Sequence, residues 1–236
     1  MPFLRARWQD LVMVNWPIDP ARVQPWVPHG CEVDLFQGRT YASLVAFQFR
    51  DTRVLGVPVP GHIHFEEVNL RLYVRHTTAD GELRRGVVFV RELVPRRLIA
   101  WVARAVYHEP YAYLPMSHRR QQMDDGRLLL RYQWGEHWLE ATAGAELREL
   151  TPGSEQQFIA EHYWGYTATR SGTRQYQVQH PSWRWRAIEH LQSQVEMGSL
   201  YGPEWKDLQS SEPSSQFVAE GSEVAVEPWG SLKRGL

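Results

Sequence analysis

The sequence predicts one mostly antiparallel β domain, on three observations. Strand-like runs recur at short spacing along nearly the whole chain, broken by Gly, Pro and Asp turn signals, while only two longer segments carry helical periodicity. A length of 236 residues suits a single β barrel, and no repeat, low-complexity block or linker divides it. With 43% hydrophobic and 22% charged residues, the chain has the composition of an ordinary globular protein.

Trp8 to Asn15 reads as the first strand, followed by a short helix with Asp19 as N-cap and Pro20 at its first position. Glu32 to Phe36 and Thr40 to Arg50 read as a hairpin across Gln37-Gly38-Arg39. A long strand from His62 to His76 turns at Ala79-Asp80-Gly81 and returns over Gly86 to Leu93. Pro95 to Tyr107 is the clearest helix, with Leu98, Trp101, Val102 and Ala105 at helical spacing. Strand-like segments follow at 111–123, 127–134 and 137–148, and a second helix opens at Thr151 and runs to about Glu161. Tyr163 to Thr169 and Thr173 to Gln179 form a predicted hairpin. The polar stretch 202–222 reads as an exposed loop, and Glu223 to Glu227 as a last strand. The domain prediction is a single unit over 1–236.

Composition narrows the function. With 26 basic against 27 acidic residues the net charge is -1, which argues against nucleic acid as a partner. No apolar run approaches a membrane span, and the N-terminus has no apolar signal core, so no membrane partner and a cytoplasmic address are expected. The single cysteine, Cys31, excludes an internal disulfide framework, and its expected role is a buried, inert one. His62 and His64 share a strand face but lack a third ligand, so no metal is expected. Dinucleotide, phosphate-loop and serine-elbow motifs are absent, and no cofactor is predicted. Lys206 and Lys233 are the only lysines, which restricts Schiff-base chemistry because it needs a buried lysine of lowered pKa.

The informative segment is Phe65 to Val74. Strand alternation puts Phe65, Glu67, Asn69, Arg71 and Tyr73 on one face and Glu66, Val68, Leu70, Leu72 and Val74 on the other, which must meet a core. Periodicity leaves two fates for the polar face: solvent, the commoner one for a sheet, or the lumen of a barrel. Arg104 at the end of the predicted helix complements the helix dipole without any function, and His108-Glu109 is a weak acid–base candidate. His162 and His180 would approach through the 163–179 hairpin.

In chain order, Val27-Pro28-His29-Gly30-Cys31-Glu32-Val33-Asp34, Gln37-Gly38-Arg39-Thr40-Tyr41, F-x-E-x-N-x-R-x-Y-V at 65–74, Arg85-Gly86-Val87-Val88-Phe89, Ala103-Arg104-x-x-Tyr107-x-x-Pro110-Tyr111, Glu161-x-Tyr163 and Val178-x-His180-x-x-Trp183 resemble the YqjF-like family, a domain of unknown function in the acetoacetate-decarboxylase-like superfamily. The resemblance implies a β-rich cone or double barrel with about two short helices and a lumenal pocket, and it moves the 65–73 face from solvent to that pocket. Where the decarboxylases carry a Pro-Lys-Lys motif, this chain reads Pro110-Tyr111-Ala112, so the Schiff-base lysine is missing. The resulting expectation is a pocket lined by Glu67, Asn69, Arg71, Tyr73, Arg104, Tyr107 and Tyr111, closed by Tyr163 and His180. It would take a small, anionic, carboxylate-like ligand on Arg71 or Arg104, with Glu67 as orienter of Arg71 or as general base. The alternative is a noncatalytic domain in which a Glu-Asn-Arg series forms a satisfied buried network. A lysine-independent decarboxylase or hydrolase ranks last, for want of a nucleophile. Oligomeric state is left open.

Overall fold

The computed structural model describes residues 2–102, 110–228 and 230–233. The chain begins with β1 (Leu4–Ile18), a 15-residue strand, and α1 (Pro20–Val23), capped as predicted by Asp19, whose Oδ1 accepts the Ala21 N–H at 2.8 Å. Next come β2 (Glu32–Val33), β3 (Thr40–Val54), β4 (Val57–Pro58), β5 (Phe65–Thr77) and β6 (Leu83–Val94). The helix α2 (Arg97–Val102) is followed by β7 (Tyr111–Tyr113), β8 (Met116–Gln122), β9 (Leu128–Trp134) and β10 (His137–Ala143). The remainder is α3 (Glu155–Ala160), β11 (Trp164–Thr169), β12 (Gly172–Gln179), β13 (Trp185–Gln194), α4 (Met197–Tyr201), β14 (Ser215–Ala219), β15 (Glu223–Val226) and β16 (Gly230–Lys233).

Strand pairing closes a ring. β3 pairs with β5, β5 with β6, β6 with β11, β11 with β12, β12 with β15, β15 with β1, and β1 again with β3. All these pairings are antiparallel except β6–β11. A second sheet, β14-β13-β10-β9-β8, continues from β1. The long strands β1, β3 and β5 are therefore buried on both faces. Val12, Val14, Leu44, Val68, Leu70 and Leu72 pack with Leu130, Trp134 and Leu139 of the second sheet, while Leu11, Met13, Val45, Phe47 and Tyr73 turn into the ring. In β1 a bulge at Asp10, with φ 54°, exchanges the inward parity between Trp8 before it and Leu11 and Met13 after it.

This two-sided burial decides the fate of the 65–73 face: it looks into the ring, with Glu67, Asn69 and Arg71 at 3%, 3% and 9% exposure, and solvent is excluded. Three other expectations need correction. β2 does not form a hairpin with β3; it pairs with β5, Val33 opposite Val74, although Gln37-Gly38 still makes a tight turn with Phe36 opposite Arg39. Residues 202–222 are not a loop: Pro203–Gln209 is a 3-10 helix that buries Trp205 and Leu208, and β14 lies between β1 and β13. The 111–123 run is two strands, β7 running parallel to β6 and β8 joining β9. Of the predicted helix 95–107, the part at 103–107 lies outside the described residues.

Candidate functional site

The ring encloses a cavity of about 330 Å³. Its wall is mostly aromatic and aliphatic, with Trp8, Phe47, Phe49, Phe65, Phe89, Trp164 and Trp183 contributed by five of the ring strands and the segment before β13. Leu98 and Ile99 of α2 border the same cavity. Against this apolar wall stand Glu67, Asn69 and Arg71 from β5, Glu92 from β6, Tyr111 from β7, and His162 and His180 from the segments flanking the β11–β12 hairpin. An apolar pocket with a few convergent polar groups is the general form of a small-molecule site.

Glu67 is held by two donors. Asn69 Nδ2 donates to Oε1 and the Tyr111 hydroxyl donates to Oε2, each at 3.0 Å. Burial outweighs both bonds and pushes the carboxyl up to about 7. Burial also raises the Tyr111 phenol well above its ordinary value, with Glu67 and Glu92 adding to the effect, so Tyr111 stays a neutral donor. Burial thus brings the Glu67 carboxyl from the ordinary carboxylate range toward neutrality, the direction that suits a general acid or base.

Arg71 turns the other way. Its Nη2 donates to the Ile159 carbonyl at 2.9 Å and its Nε to the Tyr73 hydroxyl at 3.3 Å. Tyr73 donates in turn to Ser43 Oγ at 2.7 Å, and Ser43 to Asn15 Oδ1 at 2.6 Å. Nη1 has no hydrogen-bond partner among the described residues. Arg71 makes no ion pair with Glu67, contrary to the expected contact: Asn69 reaches Glu67, but the guanidinium is drawn to the end of α3.

The other predicted residues divide. Tyr111 and His180 join Glu67, Asn69 and Arg71 in the wall. Tyr73 is fully buried behind Arg71 and is absent from the wall. Tyr163 stands behind His180, ring centroids 4.6 Å apart, while Trp183 stacks on His180 at 3.9 Å. Burial lowers the His180 imidazole to about 4. Arg104, Tyr107 and the His108-Glu109 pair lie outside the described residues. Burial pushes the Cys31 thiol up to about 12, away from nucleophilic use.

The sequence brought His162 near His180 but did not mark it, or Asp34, as a pocket residue. His162 Nε2 lies 3.0 Å from Asp34 Oδ2, with both side chains buried, and Arg85 Nε reaches the same oxygen at 3.1 Å. The signal was a histidine between Glu161 and Tyr163 in a motif series, too short to separate a site histidine from a packed one. The wall aromatics were equally silent, since a Trp-rich composition serves a core as well as a pocket.

A family model, DUF2071, uncharacterized conserved protein, matches residues 5–223. The uncharacterized protein YqjF of Bacillus subtilis (strain 168) is 24% identical over 222 residues, covering 91% of this chain and 87% of its own. Among solved structures, acetoacetate decarboxylase from Legionella pneumophila has a TM-score of 0.63 at 11% identity, over 99% of this chain and 88% of that one. An acetoacetate decarboxylase-like enzyme from Sphingomonas wittichii RW1 gives 0.63 at 14% identity, over 100% and 95%. The enduracididine biosynthesis enzyme MppR, complexed with pyruvate, gives 0.62 at 13%, over 98% and 91%. The fold is that of the acetoacetate-decarboxylase-like proteins.

Proposed function

The chain belongs to the DUF2071 family, and from that premise we propose that its barrel lumen binds a small organic acid with an apolar body. Arg71 takes the carboxylate and Glu67 supplies a proton-transfer group. The observation that carries this reading is one apolar cavity with two separated polar points in its wall: a guanidinium with Nη1 open, and a carboxyl raised to about 7 beside a neutral phenol. Guanidinium is shaped for carboxylate, and an aromatic wall suits the rest of such a ligand. The neighbour MppR, complexed with pyruvate, lends support by chemical class. Among the described residues no lysine lines the cavity, and Tyr111 follows Pro110 where the resembling decarboxylases carry their lysine, so this reading has no imine at the lumen wall. A cytoplasmic location belongs to the same proposal.

A noncatalytic binding role is the second reading. The continuous Arg71–Tyr73–Ser43–Asn15 chain favours it, because most of these buried polar groups are already satisfied. Tryptophan fluorescence titration with 3-phenylpropanoate tests binding, since Trp8, Trp164 and Trp183 border the cavity. Binding is expected to saturate, to fail for the corresponding amide, and to weaken at least about tenfold in Arg71→Met, roughly the loss of one charge-assisted hydrogen bond. Unchanged affinity in a folded Arg71→Met protein would sink the proposal. Borohydride trapping with acetoacetate, read by intact mass, should give no lumen adduct.

A further inference from the structure

We infer that the lumen wall across from Glu67 and Arg71 carries a second recognition point, Nε2 of His180, and that the acid the lumen takes bears an O–H or N–H donor on its apolar body, away from its carboxylate. The inference deepens the reading of the lumen as an organic-acid site and rests on it.

His180 directly follows β12, and the strand order puts β12 across the lumen from β5. One side of the ring runs from β5 through β6 and β11 to β12, the other through β3, β1 and β15. Glu67, Arg71 and His180 border the same cavity. The His180 Nδ1 lies 2.8 Å from the Pro181 carbonyl oxygen. A carbonyl only accepts, so Nδ1 carries the proton and Nε2 the lone pair. Trp183 stacks on the imidazole at 3.9 Å with 12° between the planes, and Tyr163 packs against it at 4.6 Å. The ring is therefore held in plane and in tautomer. Its Nε2 has no hydrogen-bond partner among the described residues, and unlike Nδ1 of His162 it is not sealed off but keeps accessible surface.

The surroundings of Nε2 are aromatic. Trp8 stands 6.4 Å from the imidazole and Phe47 5.1 Å from Trp8, while the Trp183 Nε1 proton is spent on Ser222 Oγ at 2.9 Å. Burial holds the imidazole near 4, so at neutral pH Nε2 remains an acceptor. A ligand that displaces water from this corner must bring a donor of its own or leave Nε2 unpaired. The donor that suits a neutral acceptor is a neutral O–H or N–H. A methyl group or an ether oxygen supplies none. Flat rings suit these walls, and an aryl hydroxyl keeps its proton at neutral pH, which makes a hydroxyaryl acid the fitting class. Sites that hydrogen-bond a substrate hydroxyl discriminate strongly against analogues lacking it.

The experiment compares 3-(4-hydroxyphenyl)propanoate, 3-(4-methoxyphenyl)propanoate and 3-phenylpropanoate by calorimetric titration at pH 7.5. The hydroxy acid is expected to bind at least about fivefold tighter than phenylpropanoate, and the methoxy acid, whose oxygen has no proton to give, no tighter than phenylpropanoate. In His180→Phe, which keeps a ring on Trp183, the advantage should fall to within about twofold while phenylpropanoate affinity stays. A measurement that needs no variant is the imidazole ¹⁵N spectrum. His180 should be the neutral Nδ1–H tautomer in the free protein, with an Nε2 shift on adding the hydroxy acid but not phenylpropanoate. Equal affinity of the hydroxy acid and phenylpropanoate for the wild-type protein, a methoxy acid as tight as the hydroxy acid, or an Nε2–H tautomer overturns the His180 subsite while leaving the Arg71 reading standing. Failure of all three acids to bind overturns both.

Discussion

Glu67 owes its character to a contest between burial and two donors. Desolvation raises its carboxyl, and Asn69 and Tyr111 pull it back, with a result of about 7. Removing one donor should therefore shift the balance in a known direction. In Tyr111→Phe the ring still fills its place in the wall, but the 3.0 Å bond to Oε2 is lost. The Glu67 carboxyl should rise by about one further unit, since a hydrogen bond to a charged group is worth on the order of 1.5 kcal/mol or more. A ¹³C carboxyl titration of the variant measures it, and an unchanged or lower value would show that Tyr111 does not hold the anion. Strand alternation made Glu67, Asn69 and Arg71 legible in the sequence as one face. It could not show where each side chain goes, because Arg71 finds its acceptor 88 residues away at Ile159. Asp34 and His162, 128 residues apart, meet only through the closed ring.

Among the elements, β6 and β11 form the one parallel joint of the ring, and two glycines make it. Gly86 lies opposite Trp164 and Gly165 opposite Val87. A Cβ on Gly86 would stand 2.5 Å from the Trp164 carbonyl oxygen and 2.5 Å from the Tyr166 ring, and one on Gly165 would fall 2.2 Å from the Tyr176 ring. The strands approach closely because neither residue carries a side chain there. Gly86→Ala should destabilise by about 1–3 kcal/mol, the usual range for overpacking, because the nearest obstacle is backbone. Urea unfolding checks this, and a variant as stable as wild type would mean that the joint has slack. The elements most legible in the sequence were those with a strong local signature, such as α1 with its Asp-Pro cap and the Phe65–Val74 alternation. β13 and β14 escaped notice. The first is largely exposed and polar, and the second is short and sits in a polar stretch whose order comes from its neighbours β1 and β13.

At the scale of the whole molecule, closing the ring takes a carboxyl and two imidazoles out of water together, and their effects on stability oppose one another. Glu67 has an ordinary value of 4.5 and a folded value of about 7. Between those pH values the folded chain keeps a proton that the unfolded chain has released, so this group makes stability fall as pH rises through the window. His180 has an ordinary value of 6.5 and a folded value of about 4. Between those values the unfolded chain binds the extra proton, so stability rises with pH, and His162, also lowered, acts with the same sign. From about pH 4.5 to 6.5 the slopes offset each other, and above 6.5 Glu67 acts alone of the three. Glu67→Gln removes the falling term while its amide oxygen can still accept a hydrogen bond. The variant should gain on the wild type by on the order of 3 kcal/mol between pH 4.5 and 7, with little further change above about pH 8. Titratable groups common to both proteins cancel in that difference. Urea unfolding of the pair at pH 4.5, 6, 7 and 8 measures it. A difference that does not depend on pH would place Glu67 in water or in a compensated ion pair, and the lumen would then lose its proton-transfer group.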